Sequence, residues 1–442
     1  MLKEIPVTDA EQLFADIPKR IMYSKRLNLP HPTSEYETRR HVEDLLSRNR
    51  TSRELISFLG AGCWPHYVPA VCDEINSRSE FLTAYAGDPY TDLGRYQALF
   101  EFQSMIGELV GLDVVSYPWY DWGSVAADAV RMASTVTGRR EVLVPRTMSP
   151  DRLAIMRSYC DGQIEITFVK GNPETGQLDP EDLKDKASAK TAAIYIENPT
   201  YLGFIETGCE DIAKLAHDRG ALFIAGVEPL SLGILTPPGE YGADIACGEG
   251  QPLGLHPSYG GALLGFLACK DEERLVSVVP HRLISITRTE KSGEWGFCYV
   301  RPERTMFAAR DKAGSITGTA TALWAITAAV YMSLLGPSGI QELAKTIMEK
   351  SNYAMKRLAE IEGVRVPLFD AAHFEEFTVN LDSTRKPMRE INRTLMKSGV
   401  IGGKDISNEF PELGNTSLFC VTETHTKPDI DKLAAALEVA IQ

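Results

Sequence analysis

The sequence contains no Cys-x-x-Cys pair and no His-Glu-x-x-His spacing, and its eight cysteines and eight histidines are scattered through 442 residues. That argues against a zinc centre and against a disulfide framework, and the thiols set in apolar runs read as buried, free cysteines of a reducing compartment. No apolar run approaches the ~20 residues that cross a bilayer. The first eleven residues mix charges too early for a signal peptide, so the expectation is a cytoplasmic protein that does not engage a membrane. Basic residues are the scarcer charge, 46 against 60 acidic, for a formal net charge of −14. A surface of that sign disfavours nucleic acid as the main partner.

Residues 1–56 are polar and helix-prone, punctuated by Pro18, Pro30 and Pro32, and lack the apolar stripe that would offset the entropy of ordering them. They read as an arm held by something else. From 57 to 336 short apolar strands alternate with helices: strands at Glu141–Val144, Ile164–Val169, Ala192–Ile196, Ala221–Val227 and Ala243–Ala246, with helices at 95–111, 124–138 and 211–218. Strand–helix–strand spacing of this kind implies a mostly parallel sheet covered by helices on both faces, with ligands gathered at the carboxyl ends of the strands. A helix over 319–335 then leads through Gly336-Pro337 to a second over 338–361. Strands at 364–366, 376–381 and 417–421 and helices at 387–397 and 429–441 complete a small α+β lobe, 337–442, with Pro387 at a first helical position.

The strand-end residues are Glu197-Asn198-Pro199-Thr200, Glu228 and Gly248-Glu249-Gly250-Gln251-Pro252-Leu253-Gly254. An acid after one strand and a glycine-rich turn after the next resembles the order found in the aminotransferase-like enzymes of pyridoxal phosphate, where an acid pairs with the pyridinium nitrogen and a lysine forms the Schiff base. Here no lysine occurs between Lys214 and Lys270. Gly123-Ser124 opens a helix where such a fold seats a phosphate, though a plain N-cap by Asp121 or Ser124 reads as well. Glu228 reads more readily as a loop carboxylate than as a coenzyme partner when no lysine accompanies it. The run Gly60-Ala61-Gly62-Cys63-Trp64-Pro65-His66-Tyr67-Val68-Pro69 is a loop with fixed turns, suited to an interface or to substrate contact, and His66 is either a structural histidine or an acid–base group. Tyr85 to Tyr90, followed by Gly94-Arg95, forms a second aromatic loop feeding the helix over 95–111; Arg95 opposes that helix's dipole, as a binding or interface residue would.

The runs Phe58 to Pro69, Glu80 to Tyr85, Gln97 to Gln103 and Gly248 to Gly254, with Phe14-Ala15-Asp16-Ile17-Pro18 and Leu27-Asn28-Leu29-Pro30 in the arm, resemble the first of the two chains that make up the P-protein of the glycine cleavage system. The resemblance covers nearly the whole chain. It implies an α/β, aminotransferase-like fold (the type I fold of pyridoxal phosphate-dependent transferases) with a small C-terminal lobe and an N-terminal helical arm. It also implies a glycine decarboxylase in which pyridoxal phosphate sits on the lysine of a second, β subunit, and the aminomethyl group passes to the lipoyl arm of the H-protein. On that reading this chain binds no coenzyme covalently and carries no catalytic residue of its own. Ser124, Glu228 and Gln251 line a degenerate pocket, and His66, Tyr85, Tyr90, Gly94 and Arg95 stand at an interface or near the partner's active site. The remaining alternatives are a purely structural scaffold, or a self-sufficient enzyme that uses Lys270 or Lys312. The sequence departs from the family pattern at Tyr85–Tyr90, at Tyr120-Asp121-Trp122-Gly123 and at Ile316–Thr319.

Overall fold

A computed structural model describes residues 3–23, 25–52, 54–82, 95–261, 263–305, 308, 310–311, 313–314, 320–384 and 386–442. The chain divides into two units, residues 1–51 and 52–442. In the first, Asp9 caps a turn of 3-10 helix at Ala10–Phe14, and Ser34 with Glu37 forms a capping box on the helix Glu35–Leu46. Neither element buries a residue.

The second unit is built on a seven-stranded sheet of β2 (Val114–Val115), β3 (Glu141–Pro145), β4 (Glu165–Val169), β5 (Thr191–Asn198), β6 (Leu222–Val227), β7 (Ile245–Glu249) and β8 (Gly265–Cys269), preceded in the chain by the short β1 (Ile56–Ser57). The strand order is β2-β8-β7-β6-β5-β3-β4. Strands β3 to β7 run parallel, while β8 is antiparallel to β7 and β2 antiparallel to β8. Successive side chains of a strand face opposite sides, and here both sides are core. Val142, Val144, Ile224 and Ile245 pack with the helix Trp122–Thr137, while Leu143, Ile194 and Phe223 pack with the helix Cys209–Asp218. Burial on both faces is why these strands read as unbroken apolar runs.

Beyond β8 come a hairpin, β9 (Leu283–Arg288) and β10 (Trp295–Val300), and then β11 (Glu376–Asn380), β12 (Val400–Ile401), β13 (Lys404–Asp405) and β14 (Thr416–Cys420). Strands β11, β14 and β13 form an antiparallel sheet over which the helices Met388–Lys397 and Lys427–Ile441 pack. Strand β1 pairs with β12, which ties the chain entering at residue 56 to this lobe.

The expected elements are present, with four corrections. Val364–Val366 contributes one bridge, Arg365 to Asn380, not a strand. Pro387 is the N-cap of its helix rather than its first residue. The β9–β10 hairpin was not expected, because Ser285, Thr287 and Arg288 interrupt its apolar pattern. The helix Ala322–Ala359 is, by length and composition, apolar enough to cross a membrane, contrary to the expectation that no such run exists. It breaks at Gly336 (φ 60°) ahead of Pro337, and Ala325, Ala328, Tyr331 and Ala344 are core residues.

Candidate functional site: a strand-end cleft closed by charge

The carboxyl ends of β5, β6 and β7 deliver Glu197, Glu228 and Glu249 to one end of the sheet, where ligands of such sheets bind. Each of the three carboxylates is buried and already engaged. Glu228 turns back on its own loop: its Oε1 accepts from the Leu230 N–H at 2.9 Å and its Oε2 from the Ser231 N–H at 2.6 Å, capping the turn Pro229–Gly233. Burial, with the neighbouring Glu375, raises its pKa to about 8. Glu249 accepts from the backbone N–H groups of Leu264, Trp122 and Gln251 at 2.6, 3.2 and 3.1 Å, and burial raises it to about 7 against those bonds.

The N-terminus of the helix Trp122–Thr137, where a phosphate would find free amides, is likewise taken. Asp121 is the N-cap: its Oδ1 accepts from the Ser124 N–H at 2.7 Å, and Ser124 Oγ donates back to the Asp121 carbonyl at 2.9 Å. With Trp122 N–H on Glu249, two of the first amides already serve the chain's own carboxylates. Gln251 is wholly buried and braces the 60–69 loop, accepting from the Trp64 N–H at 2.9 Å and donating to the carbonyls of Trp64 and Leu255 at 3.2 and 2.7 Å.

Arg152, from the helix Pro150–Cys160, fills the middle of the cleft. Its guanidinium lies over the Trp122 indole at 3.6 Å from the ring centroid and pairs with Glu197 at 2.9 Å. Trp122 Nε1 donates to the Tyr195 hydroxyl at 3.1 Å, and that hydroxyl donates to Glu197 Oε1 at 3.3 Å. The small lobe supplies Glu375 and Glu376, both buried. Glu376 accepts from the Ala61 N–H at 2.5 Å, and burial together with Glu375 raises it to about 8.

His66 is fully enclosed between Glu375 (Nε2 to Oε2, 3.3 Å) and Glu423 (Nδ1 to Oε2, 2.9 Å). Burial opposes its charge, yet the two carboxylates prevail and raise its pKa to about 10. Burial also opposes ionisation of Glu423, but His66 and the Tyr67 N–H, which it accepts at 2.6 Å, hold it below the ordinary value. The imidazolium therefore staples the 60–69 loop to the small lobe.

Trp64, Trp122, Arg152, Tyr201, Glu228 and Glu376 line what space is left, about 10 Å³ for the centre of a water-sized sphere. That holds about one water, and a pyridoxal phosphate does not fit there. Of the residues expected from the sequence, Glu228 lines this space, while Gln251 and His66 hold its neighbours Trp64 and Glu375 and Ser124 sits in the capping box beside Trp122. Arg95 is buried at the N-cap of the helix Tyr96–Val110 and donates from Nε to the Glu80 carbonyl at 3.1 Å. Tyr85, Tyr90, Gly94 and Lys312 lie outside the described residues. Lys270 pairs with Asp244 at 2.7 Å, and Asp244 directly precedes β7, so both sit at the sheet end opposite the cleft. Sequence reasoning missed Arg152, Glu375 and Glu376. The adjacent acids Glu375-Glu376 opening an otherwise apolar strand were the one available signal.

The family described as "Glycine cleavage system P-protein" matches residues 1–437. The "Probable glycine dehydrogenase (decarboxylating) subunit 1" of Staphylothermus marinus is 42% identical over 446 residues, covering 99% of this chain and 94% of that one. The protein of the same description from Pyrococcus horikoshii is 40% identical, covering 100% and 97%. Among solved structures, a crystal structure of glycine decarboxylase (P-protein) of the glycine cleavage system in inhibitor-bound form aligns with a TM-score of 0.88 at 35% identity, over 100% of this chain and 97% of that chain. A sphingosine-1-phosphate lyase from Burkholderia pseudomallei aligns with a TM-score of 0.67 at 13% identity, over 96% and 94%, a likeness of fold alone.

Proposed function

The chain belongs to the glycine cleavage system P-protein family, and on that premise we propose that it is the first subunit of a two-chain glycine dehydrogenase (decarboxylating). In this reading a second subunit carries the pyridoxal phosphate and a lipoyl H-protein receives the aminomethyl group. The observation that carries it is the closed cleft: at the sheet end where such a fold holds its coenzyme, Arg152, Trp122 and the buried Glu228, Glu375 and Glu376 leave about 10 Å³, and the segment from 215 to 269 has no lysine. A chain so built depends on a companion for coenzyme chemistry, and alone it is inactive. Its own residues hold loops in place: His66 fixes the 60–69 loop to Glu423, and Gln251 fixes the same loop to the turn after β7.

Glycine-dependent exchange of CO2, measured with the second subunit and H-protein in the presence and absence of this chain, tests the reading. Exchange that requires both chains supports it. Undiminished exchange by the second subunit alone overturns it, as does borohydride fixation of pyridoxal phosphate onto this chain at one per molecule. A purely structural role is separated from a contribution to the active site by Tyr85→Phe and Arg95→Ala. Lost exchange with an intact assembly assigns the contribution.

A further inference from the structure

Asp128, in the second turn of the helix Trp122–Thr137, carries a carboxylate that its described neighbours do not complete. It is buried, and neither oxygen makes a hydrogen bond. His281 Nε2 stands 3.3 Å from Oδ2 without the alignment a hydrogen bond needs, and Arg131 Nη1 is 3.7 Å from Oδ1. His281 is itself enclosed, its ring 3.6 Å from that of Trp119 between centroids, and neither of its nitrogens is hydrogen-bonded. Buried carboxylates and imidazoles almost always find hydrogen-bond partners, so two left open side by side point to a group that arrives from outside.

Asp128 and Arg131 line a cavity of about 500 Å³, the size of a small-molecule site. It lies beside the amino ends of β3 and β4, away from the strand-end cleft, with which it shares no lining residue. The helices Trp122–Thr137 and Pro150–Cys160 both end there, and helix carboxyl ends favour a cation. Guanidinium groups line the same space. Arg139 is spent on the carbonyls of Thr191 and Arg219 at 2.9 and 2.8 Å, which leaves Arg131 and the exposed Arg140 to meet an anionic group.

Both signs of charge therefore meet at one point of the wall. Because Asp128 Oδ1 and Arg131 Nη1 are only 3.7 Å apart, a ligand that engages both must carry its ammonium and its carboxylate on one carbon, as an α-amino acid does. Longer zwitterions hold their charges too far apart. Each contact would be a charge-assisted hydrogen bond, the stronger kind. Met132, Ile164 and Val278 supply apolar wall for a side chain. We infer that this cavity binds a small apolar α-amino acid, its ammonium on Asp128 and its carboxylate on Arg131, independently of the function proposed above.

Titration calorimetry of the full-length chain with L-valine tests the site, beside isovalerate and isobutylamine, which each keep one of valine's two charges. The expected result is saturable binding of L-valine, with either half-ligand at least 10-fold weaker. Asp128→Asn and Arg131→Gln are each expected to weaken L-valine at least 10-fold and to abolish the change in tryptophan emission that it causes through Trp119. Arg131 is half-buried, so Arg131→Gln keeps the test decisive if Asp128→Asn does not fold. Isovalerate bound as tightly as L-valine means a plain anion site and overturns the inference. So does the absence of saturable binding, which leaves the carboxylate to water. L-valine binding that survives both substitutions lies elsewhere on the chain and overturns it too.

Discussion

The guanidinium of Arg152 rests 3.6 Å from the centroid of the Trp122 indole while its Nη1 meets Glu197 at 2.9 Å. One cation thus joins a helix N-terminus, a strand end and a neighbouring helix in the place where a parallel sheet ordinarily keeps its ligand. The pair is buried, and burial sets the consequences of breaking it. Arg152→Met retains much of the packing on Trp122 but leaves the buried Glu197 without its cation, with only the Tyr195 hydroxyl and the Ser149 N–H still donating to it, and its expected cost is about 3–5 kcal/mol in urea denaturation. The double variant Arg152→Met with Glu197→Gln recovers most of that loss, because replacing both members of a buried pair removes the orphan charge. A single variant as stable as the parent would falsify the claim that the pair holds the cleft closed.

Gly226 in β6 makes the second prediction. A Cβ there meets Trp122 Nε1 at 2.7 Å and the Tyr195 hydroxyl at 2.7 Å, the two atoms whose hydrogen bond leads to Glu197. Gly226→Ala therefore pushes that bond apart. Overpacking of this kind costs about 1–3 kcal/mol, and displacement of the indole appears as a changed near-ultraviolet dichroism and tryptophan emission. An unchanged spectrum with full stability contradicts the contact.

Such close approaches show what the sequence could and could not disclose. Strands β3 to β7 were readable because burial on both faces makes Val142–Val144 or Ala192–Ile196 continuously apolar, and the helix 96–110 because Ala98, Phe102, Met105, Ile106 and Leu109 recur on one side and Gly111 stops it. The missing lysine was readable too. The filling of the cleft was not: Arg152 meets Glu197 across 45 residues, and Ala61 meets Glu376 across 315. Nothing local marks one arginine on a helix as the cation those acids need. Glu228 looked like a free loop carboxylate because its partners, the N–H groups of Leu230 and Ser231, are backbone and carry no residue signature.

The buried acids fix how stability responds to pH. Glu228 and Glu376 lose their protons near 4.5 when unfolded but hold them to about 8 when folded. Between those values the unfolded chain binds fewer protons than the native one, so stability falls as pH rises. His66 acts in the same direction: its contribution is complete below 6.5 and is lost as pH climbs to about 10. Urea midpoints are therefore expected to decline steadily from pH 6 to pH 9, each group adding at most about 1.4 kcal/mol per pH unit. In Glu228→Gln the decline between pH 6 and 8 becomes shallower, although the variant starts lower for want of one amide acceptor. A parent chain that gains stability over this interval refutes the assignment.

Removing His66 exposes the reason it is there. Glu375 and Glu423 face the imidazole from two sides at 3.3 and 2.9 Å, and without it the buried Glu375 and the partly buried Glu423 face each other with no cation between them, Glu423 still accepting from the Tyr67 N–H. At pH 8, where both are asked to ionise, His66→Gln is expected to cost about 3–5 kcal/mol. At pH 5 the penalty shrinks, because burial raises the pKa of Glu375 and it takes up a proton instead of repelling its neighbour. Adding Glu375→Gln to the histidine variant should restore most of the loss at pH 8 and little at pH 5. Equal deficits at the two pH values would mean that the histidine fills space and that its charge does not hold the 60–69 loop to the small lobe.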